Sequence, residues 1–353
     1  MSILSFNTPH LTSDCSDSIS NQTNTFLSGI LQVVLKDYHF VQSFSSDIID
    51  LCLKVLSNVS ICLSHIDHQG LELGDFSSFR SCDSSFIRDA PHISRTALQI
   101  LYKIVCFRHD SPLDQSVFQN ISNIAFDLLS SVRHVGVLYD SATLLKTTSS
   151  LSGQSYRQSK LNQVIDLIVS DDVSHRRRSA GVPTLVSALL HGEVLDNSVA
   201  SKATTSMAMS KFLTILNNSD STTSQLSNCF NVFTSVLNDL KASSLILDYL
   251  DDICPLIVNH TSSESWDCRS ASARCMAIIS TRFFGSKGTA KTNFVDLMVF
   301  TERFSKSFST FLNILQNFDE DHDVPNKVLS VLSLLQRMTC DCEIPRDLKI
   351  QFV

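Results

Sequence analysis

Apolar residues recur along this chain at steps of three and four. Ile48, Cys52, Val55, Val59, Cys62 and Ile66 form one such series; Val117, Ile121, Ile124, Leu128 and Val132 form a second; Leu226, Cys229, Phe233, Val236 and Leu240 form a third. Steps of that size put every member on one face of an α-helix, so each series predicts a helix with one buried stripe. Short polar breaks with turn and cap chemistry separate the series, at Asp110-Ser111-Pro112, Ser170-Asp171-Asp172, Asn217-Asn218-Ser219-Asp220 and residues 319–325. The longest interruption, residues 67–90, reads as a loop between repeats. Strand patterns are nearly absent, and the first twenty residues are expected to be disordered.

About a dozen amphipathic helices with short connections, no heptad seam and no single large core predict an all-α fold, an α-solenoid of HEAT/armadillo-like helical repeats. No strict repeat emerges from the sequence, and an irregular helical domain is the competing architecture. Composition agrees with helices: the 353 residues include only 9 Gly and 7 Pro, which is too few turn residues for an all-β or Rossmann-like fold. At 43% hydrophobic, the chain can bury more than one core or an extended array.

Charge narrows the function classes. With 28 Lys and Arg against 35 Asp and Glu, the net charge of −7 excludes coating of nucleic acid by bulk charge, so any anion-binding surface must be local. The eleven cysteines are scattered, and Cys52, Cys62, Cys106 and Cys229 fall inside apolar helical patterns, as buried reduced thiols do. That usage, with no signal-peptide pattern at the N-terminus, makes the cytoplasm the expected compartment.

Against this plain helical background one block stands out. His175-Arg176-Arg177-Arg178-Ser179-Ala180-Gly181-Val182-Pro183 runs straight into the apolar segment Thr184-Leu185-Val186-Ser187-Ala188-Leu189-Leu190. Three adjacent guanidinium groups are permanently charged and call for planar anionic partners. Ser179, Ala180 and Gly181 are small enough to let another backbone or a ligand approach, and Pro183 is tolerated near a helix start. Two readings follow. In the functional one, Arg176, Arg177 and Arg178 reach for RNA phosphate or an acidic partner at a helix N-terminus. In the structural one, they pair with acids such as Asp166 or Asp171 and tie one repeat to the next.

Two further blocks are Arg133-His134-Val135-Gly136 and Ser265-Trp266-Asp267-Cys268-Arg269-Ser270, the latter followed by Arg282-Phe283-Phe284-Gly285-Ser286-Lys287. Arg269, Arg282 and Lys287 read either as one basic surface or as solvated helix charges. Trp266, the only tryptophan, reads as a core anchor between helices, because base stacking along a groove calls for several exposed rings.

These blocks, in this order, resemble the family of the thyroid adenoma-associated protein. Its recognisable motif, Arg-Arg-Ser-Ala-Gly-Leu-Pro before an apolar helix, is matched by Arg177 to Pro183 with Val182 in place of Leu. A Trp, then Arg-Asn, then Arg-x-Phe-Gly-x-Lys is similar to Trp266, Arg269-Ser270 and the segment from Arg282 to Lys287, with Ser270 for Asn and one extra aromatic. In the first block Arg133, His134 and Gly136 match, while the acidic and glycine positions that follow are missing. The resemblance covers roughly residues 130–290. On it, residues 131–290 form the family-like central region, with helical repeats at 21–130 and 291–353, and the chain corresponds to a piece or a shortened version of a longer solenoid.

The fungal relatives in that family resemble regulatory partners of the tRNA 2′-O-ribose methyltransferase of the anticodon loop. The resemblance therefore implies a non-catalytic subunit that binds the methyltransferase catalytic subunit, with tRNA as a second candidate partner, and that needs no cofactor. The alternative is a helical protein–protein scaffold with no RNA role. A phosphate-binding loop, a nucleophile elbow, HExxH and a SAM-binding glycine pattern are all absent from the sequence. Cys340-Asp341-Cys342 with His322 lacks the paired spacing of a zinc site, so no metal is expected. Cys268, near Arg269 and His260, is the remaining candidate for a reactive thiol.

Overall fold

A computed structural model describes residues 16–68, 84–107, 113–132, 134–170, 181–196, 202–284, 295–317, 325–335 and 338–339. These residues are all-α apart from one two-residue parallel pairing, Val295 with Met338 and Asp296 with Thr339. Neighbouring helices pack as pairs across short connections, which is the helical-repeat architecture expected of an α-solenoid. The chain divides into two compact units, Met1–Gly153 and Gln154–Val353.

The first unit contains α1 (Ser16–Lys36), α2 (Tyr38–His68), α3 (Ser84–Phe107), α4 (Gln115–Ser131) and α5 (Val135–Leu151). Helix α3 is its hub and packs on α1, α2 and α5. The reason is its stripe of Ala90, Ile93, Ala97, Leu98, Ile100, Leu101, Ile104 and Val105, all buried. In the predicted series of α2 and α4, Ile48, Cys52, Val59, Ile121, Leu128 and Val132 are buried, while Val55, Val117 and Ile124 are half-buried.

Several expectations are corrected here. The first helix starts at Ser16, inside the stretch expected to be disordered, and α3 already runs from Ser84, inside the expected loop. Cys106 is exposed, because it falls one residue beyond Val105 and off the α3 stripe. Its thiol shares a hydrogen bond with the Tyr102 hydroxyl, which raises the tyrosine's pKa.

The α5 helix ends on Ser152, whose N–H donates to Thr148 O, and the chain turns at Gly153 with φ of +90°. A side chain there is strained, and a Cβ would lie 2.7 Å from Gln115 Nε2, the group that donates to Ser152 O at 2.9 Å. Gly153→Ala is expected to cost about 1–2 kcal/mol from left-handed strain alone. Thermal unfolding of the purified variant measures this, and an unchanged midpoint would contradict it.

The second unit contains α6 (Gln154–Val169), α7 (Val182–Leu195), α8 (Ala203–Asn217), α9 (Thr223–Asn238), α10 (Leu240–Ile246), α11 (Leu250–Asn259), α12 (Trp266–Phe284), α13 (Leu297–Arg303), α14 (Ser305–Gln316) and α15 (Pro325–Leu335). Single 3-10 turns, Leu247–Tyr249 and His260–Ser262, link α10 to α11 and α11 to α12. Helix α9 packs on both α7 and α12 and so is buried on two faces, through Cys229, Phe230, Val232, Phe233, Val236 and Leu237. Thr222 and Gln225 close a capping box at its start, and Gln225 Nε2 also donates to Val169 O at 2.7 Å, which ties α9 to the end of α6.

Leu240 was expected to extend the α9 stripe, yet it is exposed. Asp239 ends α9 and accepts from Lys241 N and Ala242 N, so Leu240 opens a new helix on a different axis.

Candidate functional site

The motif block leads into α7, whose buried residues Leu185, Val186, Ala188, Leu189 and Leu190 cover nearly its whole circumference. Such a helix is core, which explains why the apolar run after the block is unbroken. Gly181 is its N-cap with ordinary helical φ and ψ, and Pro183 lies in the first turn, where a missing N–H costs nothing. Arg176, Arg177, Arg178, Ser179 and Ala180 lie outside the described residues, as do Arg133 and Lys287.

Of the first block, His134 caps α5, with Nδ1 accepting from Val137 N at 3.4 Å. Gly136 is required by a close approach: a Cβ would stand 2.9 Å from Cδ and Nε of Arg95, whose Nε donates to Asp140 at 2.8 Å. Gln99 Nε2 reaches the same carboxylate at 3.4 Å. This end of α5 is fastened to α3 by a half-exposed ion pair laid across a glycine.

The third block yields the clearest geometry. The buried stripe of α12 is Cys268, Ala271, Ser272, Cys275, Met276 and Ile279, and α12 packs against α9. Two residues before Cys268, Trp266 projects about 200° around the helix from that stripe. It is 69% exposed. The expectation of a core anchor is therefore corrected, and the reason is its angular position on α12, which faces away from the buried stripe.

Trp266 forms one side of an open groove of about 500 Å³, together with Thr261, Arg269, Ser270, Ala273, Leu329, Ser330 and Ser333. The Trp, Arg and Ser of the motif thus meet in one place, opposite α15. Leu329 is exposed there as well.

Arg269 Nη1 donates to Ser263 O at 2.6 Å and Glu264 O at 3.2 Å, which holds the guanidinium over the turn before its own helix. Arg282 lies about 20 Å further along α12 at 1.5 Å per residue. Its Nε donates to Leu237 O at 2.6 Å, and its Nη2 donates to the same oxygen, so it closes the C-terminal end of α9. The two arginines do not share a surface patch in the manner expected of a single basic strip. Arg269 belongs to the groove and Arg282 to the α9–α12 seam.

Cys268 is buried, and burial pushes its thiol pKa up. Burial pushes the thiols of Cys52, Cys229 and Cys275 up to about 12 and raises that of Cys254 as well. His260 moves the other way: burial, then the Lys327 ammonium, lower its pKa. A buried thiol held in its protonated form is a poor nucleophile. Among the described residues no three His, Cys, Asp or Glu come together as metal ligands, and His322, Cys340, Asp341 and Cys342 lie outside them.

The ties between repeats fall on residues the motif reading passed over. Arg157 on α6 is fully buried and donates to Asp196 at 2.6 Å. Glu193 on α7 accepts from Thr204 N, Thr205 N and Thr205 Oγ1 at the start of α8. His191 meets Asp239 at 2.9 Å. A signal for two of them was present: Arg157 continues the stripe of Leu161, Val164 and Ile168, and Glu193 interrupts an apolar run.

Comparison with known proteins places the chain. No curated protein matches it. Residues 86–267 match the family model described as THADA/TRM732, DUF2428, a span from α3 to the first turn of α12 that takes in the blocks at Arg133 and Arg177 and ends just after Trp266. The match starts earlier than the motif resemblance and stops before Arg269 and Arg282. As it covers more than half of the chain, the protein belongs to the THADA/TRM732 family.

Proposed function

We propose that this chain is a non-catalytic regulatory subunit that supports 2′-O-ribose methylation of the tRNA anticodon loop in the cytoplasm. Its partners are the methyltransferase catalytic subunit and the tRNA. The observation that carries this reading is the family match over residues 86–267, which contains the Arg177-Arg178-Ser179-Ala180-Gly181-Val182-Pro183 block in front of a buried helix. The mechanism is proximity and orientation: a rigid helical scaffold holds enzyme and substrate in register, while arginines neutralise phosphate as it docks. Among the described residues no helix is long and apolar enough to cross a membrane, which suits a partner-binding scaffold.

Arg178→Ala is the test. The variant is expected to remain folded and to lower methyltransferase assembly or anticodon-loop methylation at least several-fold; full modification by a folded variant would remove the assigned role. The same measurements repeated over a salt series separate the alternative, a protein scaffold with no RNA role, because phosphate contacts weaken steeply with salt and a largely apolar protein contact does not. That alternative draws support from Arg282, which is spent on a backbone carbonyl, and from the net charge of −7.

A further inference from the structure

An indole that is 69% exposed, in a chain with one tryptophan, calls for a partner. The groove beside it presents one aromatic face, one guanidinium and four hydroxyl-bearing residues, Thr261, Ser270, Ser330 and Ser333, and among the described residues no carboxylate lines it. That lining decides between occupants. A pocket for an apolar anchor from a protein partner would be lined by apolar side chains, and half of this lining is hydroxyl. An acidic peptide would engage the guanidinium and leave the ring unused.

A nucleotide uses all of it. The base stacks on the indole and the phosphate lies by the guanidinium, while amino groups on the base edge donate to hydroxyl oxygens. Ser333 Oγ donates to Ser330 O at 2.8 Å, which leaves this exposed oxygen as an acceptor. The two carbonyl bonds made by Arg269 Nη1 fix the plane of the guanidinium, which has five donors in all.

We propose that the groove between α12 and α15 holds one unstacked nucleotide of single-stranded RNA, with its base on Trp266 and its phosphate beside Arg269. This deepens the tRNA-binding reading and rests on it.

Because Trp266 is the only indole, its fluorescence reports on this groove alone. Titration of the full chain with a single-stranded eight-residue oligoadenylate is expected to quench that fluorescence saturably, with affinity falling as salt rises. Anisotropy of a labelled oligoadenylate is expected to show about 10-fold weaker binding to Trp266→Ala and to Ser333→Leu, the latter filling the groove with the ring intact. Two outcomes overturn the site while leaving the tRNA reading standing: unfractionated tRNA that binds both variants as tightly as the parent, or a fluorescence change produced by purified methyltransferase and not by RNA. If neither oligoadenylate nor tRNA binds the chain at all, the site and the direct tRNA contact fall together.

Discussion

Asp196→Ala is expected to destabilise the Gln154–Val353 unit by about 3–5 kcal/mol, the range for breaking a buried ion pair from one side. Arg157 has no exposed side-chain surface and its guanidinium donates to Asp196 at 2.6 Å, while Asp196 keeps 11% of its own exposed. Removing the carboxylate takes a counter-charge from a buried, permanent cation, since arginine does not shed its proton. The cost therefore includes desolvation that is no longer offset by Asp196, and exceeds what the pair contributes when whole. A matched replacement, Arg157→Met with Asp196→Leu, takes both charges out and is expected to recover most of the loss. Urea unfolding measures the size, and hydrogen exchange of the α6 and α7 amides measures the place. A loss below about 1 kcal/mol for the single variant would show that the pair is solvated in solution.

Glu193→Ala is the second large effect, expected at about 3 kcal/mol. The buried carboxylate accepts from Thr204 N at 2.8 Å and Thr205 N at 3.0 Å, so it satisfies two of the free donors at the start of α8 and opposes the positive end of that helix. Alanine leaves both amides buried and unpartnered, at about 1–3 kcal/mol each before relaxation. Glu193→Gln keeps one carbonyl oxygen for Thr205 but turns an amide donor toward Thr204 N, and is expected to recover only part of the loss. If Glu193→Gln unfolded at the parental denaturant midpoint, the clamp would be shown not to depend on the carboxylate.

Both sites say what made this fold legible and what did not. The stripes of α2, α4 and α9 could be read from spacing, because burial of one helical face leaves a period that survives in the sequence. The arginine block and the tryptophan could be read as unusual, and the family could be recognised from them. Orientation was not legible. Trp266 looked like an anchor because large aromatics are buried on average, yet its place in the first turn of α12 lies across the helix from the buried stripe of Cys268, Ala271, Cys275 and Ile279. Cys106 and Leu240 failed for a related reason, since a one-residue offset or a helix that restarts at Asp239 moves a side chain off its stripe.

Pairing was not legible either. Arg269 and Arg282 are alike in sequence, yet one borders a groove and the other closes the end of α9, a difference that depends on which carbonyls the fold brings within reach. Charges inside apolar runs carried information that residue type alone did not: Arg157 and Glu193 are where repeats are joined in the second unit, and neither belongs to a recognisable motif.

The central claim is that this chain serves a tRNA methyltransferase as a regulatory scaffold. Its most direct test is affinity capture of the tagged chain from cytosolic extract, with and without ribonuclease, followed by identification of the bound proteins and RNAs. The account predicts recovery of a 2′-O-methyltransferase in both samples and of tRNA in the untreated one. Recovery of neither the methyltransferase nor tRNA would contradict it.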